Sequence, residues 1–246
     1  MKQTVIFNDT RMRLDDAFQV RHIATFPVQT CSSKDQVDAV LAEFGDFDQI
    51  PVANGDDVVE VIEREGARKR PIALTDVVSA YEPLAKFLPM LEHSPYRLVT
   101  EGGKVTGIVT RSDTLKLPVR LLAFMMITHL EMLMADLIRA RYPDSTGWRR
   151  RLSEERRARI DQKEEELRQP GNNPEPLELT DFADKREIVR VEYDLPNRFQ
   201  KDLGDIERVR NSVAHAGNYA QTEDRLRKFV KRIRLADKWI EELSRL

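Results

Sequence analysis

The sequence predicts an α+β protein of two domains, an N-terminal α/β module with a pseudo-twofold repeat followed by a C-terminal all-α helical bundle. Three observations predict it. With an offset of 47 residues and no gap, Val37, Val40, Leu41 and Phe44 fall on Leu84, Phe87, Leu88 and Leu91, and Gln49 to Ile62 falls on Tyr96 to Val109. From Leu117 onward the apolar residues recur at helical spacing. The charge balance also differs: residues 1–116 carry 14 Lys+Arg against 18 Asp+Glu, and 117–246 carry 26 against 24, so the second half is the better placed to meet an anion.

Met1 to Val20 holds a short apolar run, Val5-Ile6-Phe7, and a mixed segment without a clear pattern. Each repeat copy then reads as helix, strand, tight turn, strand. The first helix has a capping-box start at Ser33-Lys34-Asp35-Gln36 and an apolar face at i, i+3, i+4, i+7. Its hairpin turns at Asn54-Gly55-Asp56, and the second copy's at Glu101-Gly102-Gly103.

The second copy ends on Gly103-Lys104-Val105-Thr106-Gly107-Ile108-Val109-Thr110-Arg111-Ser112-Asp113. A carboxylate three residues past a strand-end threonine suits the grip of a vicinal diol in a cleft. This stretch resembles the Gly-apolar-apolar-Thr-x-x-Asp ending of CBS domains, the nucleotide-sensing modules named after cystathionine beta-synthase, with a tandem pair over residues 20–116. The resemblance implies that Asp113 accepts hydrogen bonds from ribose hydroxyls, that Thr110 lies near ribose or phosphate, and that an adenine nucleotide is a regulatory ligand. The alternative, that Asp113 caps the following helix, stays open. In the first copy Glu60, Glu63 and Gly66 replace Gly107, Thr110 and Asp113, and Glu63 sets a negative charge where a phosphate would go. At most one competent nucleoside site per chain is therefore expected.

A helix is expected over Val119 to Arg141, redirected at Pro118. Leu121, Phe124, Met125, Thr128, Met132, Ala135 and Ile138 form one broad apolar face, and Met126, Leu130, Leu133 and Leu137 extend it nearly all round. Such a helix must be covered by the bundle or by a second copy of the chain. Its methionines read as adaptable packing, and no metal-ligand spacing appears in the sequence. Trp148 to Arg168 places Arg149-Arg150-Arg151, Arg156-Arg157 and Arg159 ahead of Glu164-Glu165-Glu166. It is either a solvated helix laced with i,i+4 pairs or a track for an RNA backbone. A loop over Gln169 to Pro176 precedes helices around Asp181 to Tyr193, Arg198 to His215 and Thr222 to Leu243. The last carries the stripe Leu226, Phe229, Val230, Ile233, Ala236, Trp239, Ile240 and Leu243.

Within the second of these helices Asn211 and His215, four apart, share a face, and the long fork of Arg210 can reach it. Ala216-Gly217-Asn218 ends the helix, so His215 is expected in its last turn. A guanidinium, an amide and an imidazole at a helix end can bind and polarise a phosphodiester. Arg-Asn-x-x-x-His resembles the signature of the HEPN superfamily of helical proteins, over residues 117–246, with Glu131 alone on the long apolar helix. That resemblance implies a metal-independent endoribonuclease acting as a homodimer on RNA. His215 would assist attack of a ribose 2'-hydroxyl on its own phosphodiester, Arg210 would stabilise the charge, and Asn211 would orient His215 or the phosphate. The product end is a cyclic phosphate, no cofactor is required, and gating by the nucleotide would make the chain a stress, toxin or phage-defence effector. The competing readings are that Arg210 pairs with Glu207 or Asp205 while His215 caps a helix, and that the chain is a non-catalytic sensing and partner-binding module.

Composition bounds these readings. A chain of 246 residues holds one large or two ordinary domains, and at 33% charged residues with a net charge of −2 it has no global basic field. The single Cys31 excludes an internal disulfide framework and fits a reducing compartment. No signal peptide is legible, and Arg120, His129, Glu131 and Asp136 interrupt the apolar run Leu117 to Leu137. A cytoplasmic protein without a membrane partner is expected.

Overall fold

The computed structural model of the protein describes residues 17–45, 47–92, 94–144, 146–168, 175–214 and 219–246. They divide into two compact units, one holding 17–122 with 220–227 and the other 123–219 with 228–246.

The first unit carries two sheets. One runs β1 (Cys31–Ser32), β2 (Gln49–Asn54), β3 (Asp57–Glu63) and β4 (Arg68–Pro71), with α1 (Val37–Glu43) between its first two strands. The other runs β5 (Val77–Ser79), β6 (Tyr96–Glu101) and β7 (Lys104–Thr110), with α2 (Leu84–Phe87) and a 3-10 turn between its first two. The repeat holds at the level of single hydrogen bonds. Gln49 pairs with Glu63 as Tyr96 pairs with Thr110, and each antiparallel pair carries a bulge, at Val52/Ala53 and at Val99/Thr100. Cys31 opposes Val52 as Val78 opposes Val99 in the parallel pairs. The guanidinium of Arg64 donates to the Phe44 carbonyl at 2.6 Å, and that of Arg111 donates to the Leu91 carbonyl at 3.4 Å. Every one of these correspondences keeps the sequence offset.

The outer edges show how the copies interlock. Ile72 N–H donates to the Val59 carbonyl on β3, at 3.1 Å, and Val28 N–H donates to the Thr106 carbonyl on β7, at 2.9 Å. The segment preceding the second copy thus edges the first copy's sheet, and Thr25–Val28, preceding the first copy, edges the second's. Gly107 is fixed by this exchange: a Cβ there would sit 2.5 Å from the Phe26 ring and 2.9 Å from the Thr25 carbonyl oxygen. Glu60, its counterpart, meets Lys69 of β4 at 3.2 Å instead.

The hairpin turns fall where expected, with Gly55 at φ 65° and Gly102 and Gly103 at φ 59° and 81°. The capping box does not. The α1 helix starts at Val37 after Gln36, which makes no side-chain cap, because Ser32 N–H donates to Asp35 Oδ2 at 2.8 Å and closes a turn one step earlier.

Helix α3 (Leu117–Arg141) starts two residues earlier than expected, with Pro118 in its first turn, where a missing N–H costs nothing. It is long and apolar enough to cross a bilayer, but most of its apolar side chains are buried within the protein. The buried face runs through Val119, Leu122, Ala123, Met126, Ile127, Leu130, Leu133 and Met134. The broad face singled out by periodicity is the less covered one, with Leu121, Phe124 and Met132 exposed. Helices α4 (Glu154–Leu167), α5 (Phe182–Glu192), α6 (Asn197–Ala214) and α7 (Glu223–Leu243) follow. Phe199, Leu203, Ile206, Val209 and Val213 bury one side of α6, and every residue of the stripe expected on α7 is buried. Phe199 meets Trp239 edge-on at 4.9 Å, and the indole N–H donates to Asp202 at 3.1 Å.

Candidate functional site

The 3-10 turn Arg111–Leu115 after β7 brings Thr110 and Asp113 into direct contact. Asp113 Oδ2 accepts from the Thr110 N–H at 2.6 Å and from its hydroxyl at 2.9 Å. Its Oδ1 meets Lys116 Nζ at 2.8 Å, and that ammonium also donates to the Ile23 carbonyl at 2.5 Å. The carboxylate therefore caps backward onto the strand end while buried, with lone-pair capacity left on Oδ1 for one further donor.

Beside it, a cavity of about 770 Å³ draws on both copies, with Gln49, Glu63 and Arg64 from the first and Arg70, Ser94 and Tyr96 from the second copy and its leading strand. Arg70 organises this wall. It meets Glu63 at 2.7 Å, grips buried Asp76 through two nitrogens at 2.6 and 3.0 Å, and donates to Tyr96 Oη at 3.3 Å. The Arg70 hydrogen bonds hold the Asp76 carboxyl below the usual carboxylate range. Burial pushes the Tyr96 phenol up to about 12. Glu63 is thus not the bare negative charge that the sequence suggests. Arg70, Asp76 and Tyr96 escaped the sequence reading; the available signal was Arg68-Lys69-Arg70 on a strand facing Glu60 and Glu63 across the ladder.

In the helical unit, Arg210 and Asn211 lie in the last turns of α6, Arg210 partly buried and Asn211 exposed; His215 lies outside the described residues, as does most of the loop expected over Gln169 to Pro176. Arg210 pairs with neither acid on its own helix. Its guanidinium reaches Glu131 of α3 at 3.6 Å, while Glu207 takes Arg186 at 3.2 Å and Asp205 takes Arg208. Glu131 also meets buried Lys185 of α5 at 3.1 Å, and that ammonium donates to the Thr180 carbonyl at 2.8 Å. Glu131 and Lys185 line a cavity of about 320 Å³ with Thr128 and Met132. A carboxylate shared by an ammonium and a guanidinium restricts the guanidinium's rotamers and leaves its remaining N–H groups for an anion.

The arginine-rich segment is neither a bare helix face nor a free cationic track. Arg149 pairs with Asp161 and Glu164, Arg151 with Glu192, and Arg156 with Asp184, and Arg150 stacks on Tyr142. Most of these partners lie on other elements, so the i,i+4 pairing expected for this segment gives way to tertiary ion pairs.

Comparison with known proteins bears on the repeat unit. Residues 67–120 match the CBS domain family. The match starts at the strand that begins the second copy, one repeat length after residue 20. Among solved structures, the chain is similar to the CBS domain of the bacterial CNNM/CorC family Mg2+ transporter, at 16% identity, covering 47% of this chain and 83% of that one with a TM-score of 0.34. It is also similar to the cystathionine beta-synthase pair domain of the putative Mg2+ transporter SO5017 from Shewanella oneidensis MR-1, at 19% identity, with 46% and 77% covered and a TM-score of 0.35. A CBS domain of a membrane protein from Sphaerobacter thermophilus gives 19%, 46% and 97%, with a TM-score of 0.34. A search of curated proteins finds no match to the chain.

Proposed function

We propose that the repeat unit senses an adenine nucleotide and that the helical unit is a metal-independent RNA endonuclease of HEPN type gated by it. The observation that carries the sensing half is the register-matched CBS-like repeat opening onto a cleft of about 770 Å³, within the range of small-molecule sites. Thr110 and Asp113 are the ribose-side residues in this reading, and the nucleotide acts by favouring one of two arrangements of a homodimer. In the helical half Arg210, oriented by Glu131, holds a phosphate oxygen, and Asn211 orients the phosphate or His215. His215 takes the proton from the 2'-hydroxyl. The O2'–P bond forms as the P–O5' bond breaks, leaving a 2',3'-cyclic phosphate and, after proton return, a 5'-hydroxyl. RNA supplies its own nucleophile, so DNA is not a substrate. Such an activity suits a cytoplasmic stress or phage-defence effector.

The test is incubation of the full chain with single-stranded RNA in chelator, with and without ATP, ADP or AMP, beside Arg210→Ala and His215→Ala. Cyclic-phosphate ends that vanish in both variants and respond to nucleotide support the reading. A folded wild type inert toward RNA under every condition would leave a sensing and partner-binding module, and cleavage undiminished in both variants would mark a contaminant.

A further inference from the structure

A second cavity in the helical unit, independent of the Arg210 motif, has a wall of unusual chemistry. It encloses about 310 Å³ and is lined by Arg151, Ser153, Arg156, Arg186, Glu187 and Gln200 among others. Three guanidiniums converge there, yet the acids that pair with them, Glu192, Asp184 and Glu207, do not line it. The carboxylates fix the arginines from behind while the cavity wall itself is predominantly cationic. Each guanidinium offers five N–H groups, more than its carboxylate partner takes. Arg186 Nε and Gln200 Oε1 are both buried without a hydrogen-bond partner among the described residues, although Gln200 Nε2 is held by Glu187 at 3.0 Å. An unmet donor and an unmet acceptor on one wall ask for a ligand that carries both an anionic acceptor and a hydroxyl, since each orphaned group otherwise costs its desolvation.

We infer that this cavity binds a phosphorylated sugar unit, its phosphate on the three arginines and a hydroxyl donating to Gln200 Oε1. The unit is either a free sugar phosphate or one nucleotide of an RNA strand. Gln200 precedes Arg210 on α6 by ten residues, about 15 Å of helix, so the cavity is separate from the motif and fixed to the same element. The measurement is calorimetric titration of the full chain with ribose 5-phosphate, orthophosphate, ribose and an RNA tetranucleotide, repeated in Arg186→Gln and Gln200→Leu. Saturable binding of ribose 5-phosphate or of the tetranucleotide, tighter than orthophosphate or ribose alone and weakened at least tenfold in both variants, supports the site; whichever of the two binds more tightly identifies the source. Gln200→Leu leaves every arginine in place, so it decides the question if Arg186→Gln fails to fold. No saturable binding by either probe, or affinity unchanged in a folded Gln200→Leu protein, overturns the inference.

Discussion

Asp113 shows how one side chain serves structure and site together. It takes the Thr110 N–H and hydroxyl and the Lys116 ammonium, so Asp113→Ala removes a cap and a partly buried ion pair. A loss of about 2 kcal/mol in urea unfolding is expected, and a change below a few tenths would show the cap to be idle. Glu131 offers a sharper case. Buried Lys185 depends on it for its carboxylate, so Glu131→Ala should cost about 3 kcal/mol, and adding Lys185→Met should restore most of that; an additive double mutant would contradict the pairing. At this scale the sequence exposed Thr110, Asp113, Arg210 and Asn211 as candidates, because their chemistry lies in short local patterns. The partners of those residues were hidden. Glu131, 79 residues before Arg210, stood out only as an acid on an apolar helix, and nothing local ties it to Lys185.

The repeat was legible at the element scale because gapless symmetry fixes register. The bulges, the parallel pairs and the arginine caps all inherited it. What symmetry in sequence did not disclose is the exchange of edge segments, since Thr25–Val28 and Ile72 pair with residues remote from them in the chain. Gly107 lies under that exchange. Gly107→Val drives a side chain into backbone at Thr25, so a loss of about 2 kcal/mol or more is expected in chemical denaturation, whereas Glu60→Val at the matching position should cost far less. Helix α3 misled for a physical reason: a helix apolar on all sides has no single face that periodicity can assign to the core. The Arg70–Asp76 contact carries a pH signature. Because Asp76 is held below its ordinary pKa, its contribution is complete above about pH 5 and is lost as pH falls through the carboxylate range. Thermal midpoints of Asp76→Asn should therefore fall less steeply with acidification than those of wild type.

For the whole molecule, the exposed Leu121, Phe124 and Met132 on α3 support the homodimer in the proposed mechanism. Met132→Asp should convert a sedimenting dimer to a folded monomer; a wild type that sediments as a monomer at micromolar concentration would remove that part. The account as a whole depends on a repeat that grips a nucleotide. Calorimetric titration of ATP, ADP and AMP into the full chain, wild type against Thr110→Val, tests it most directly, because the variant keeps the backbone cap to Asp113 and removes only the hydroxyl. Saturable binding of at least one of the three at one site per chain, weakened about tenfold in the variant, is the predicted result. An absence of saturable heat for all three nucleotides, or binding indifferent to Thr110→Val, would contradict it.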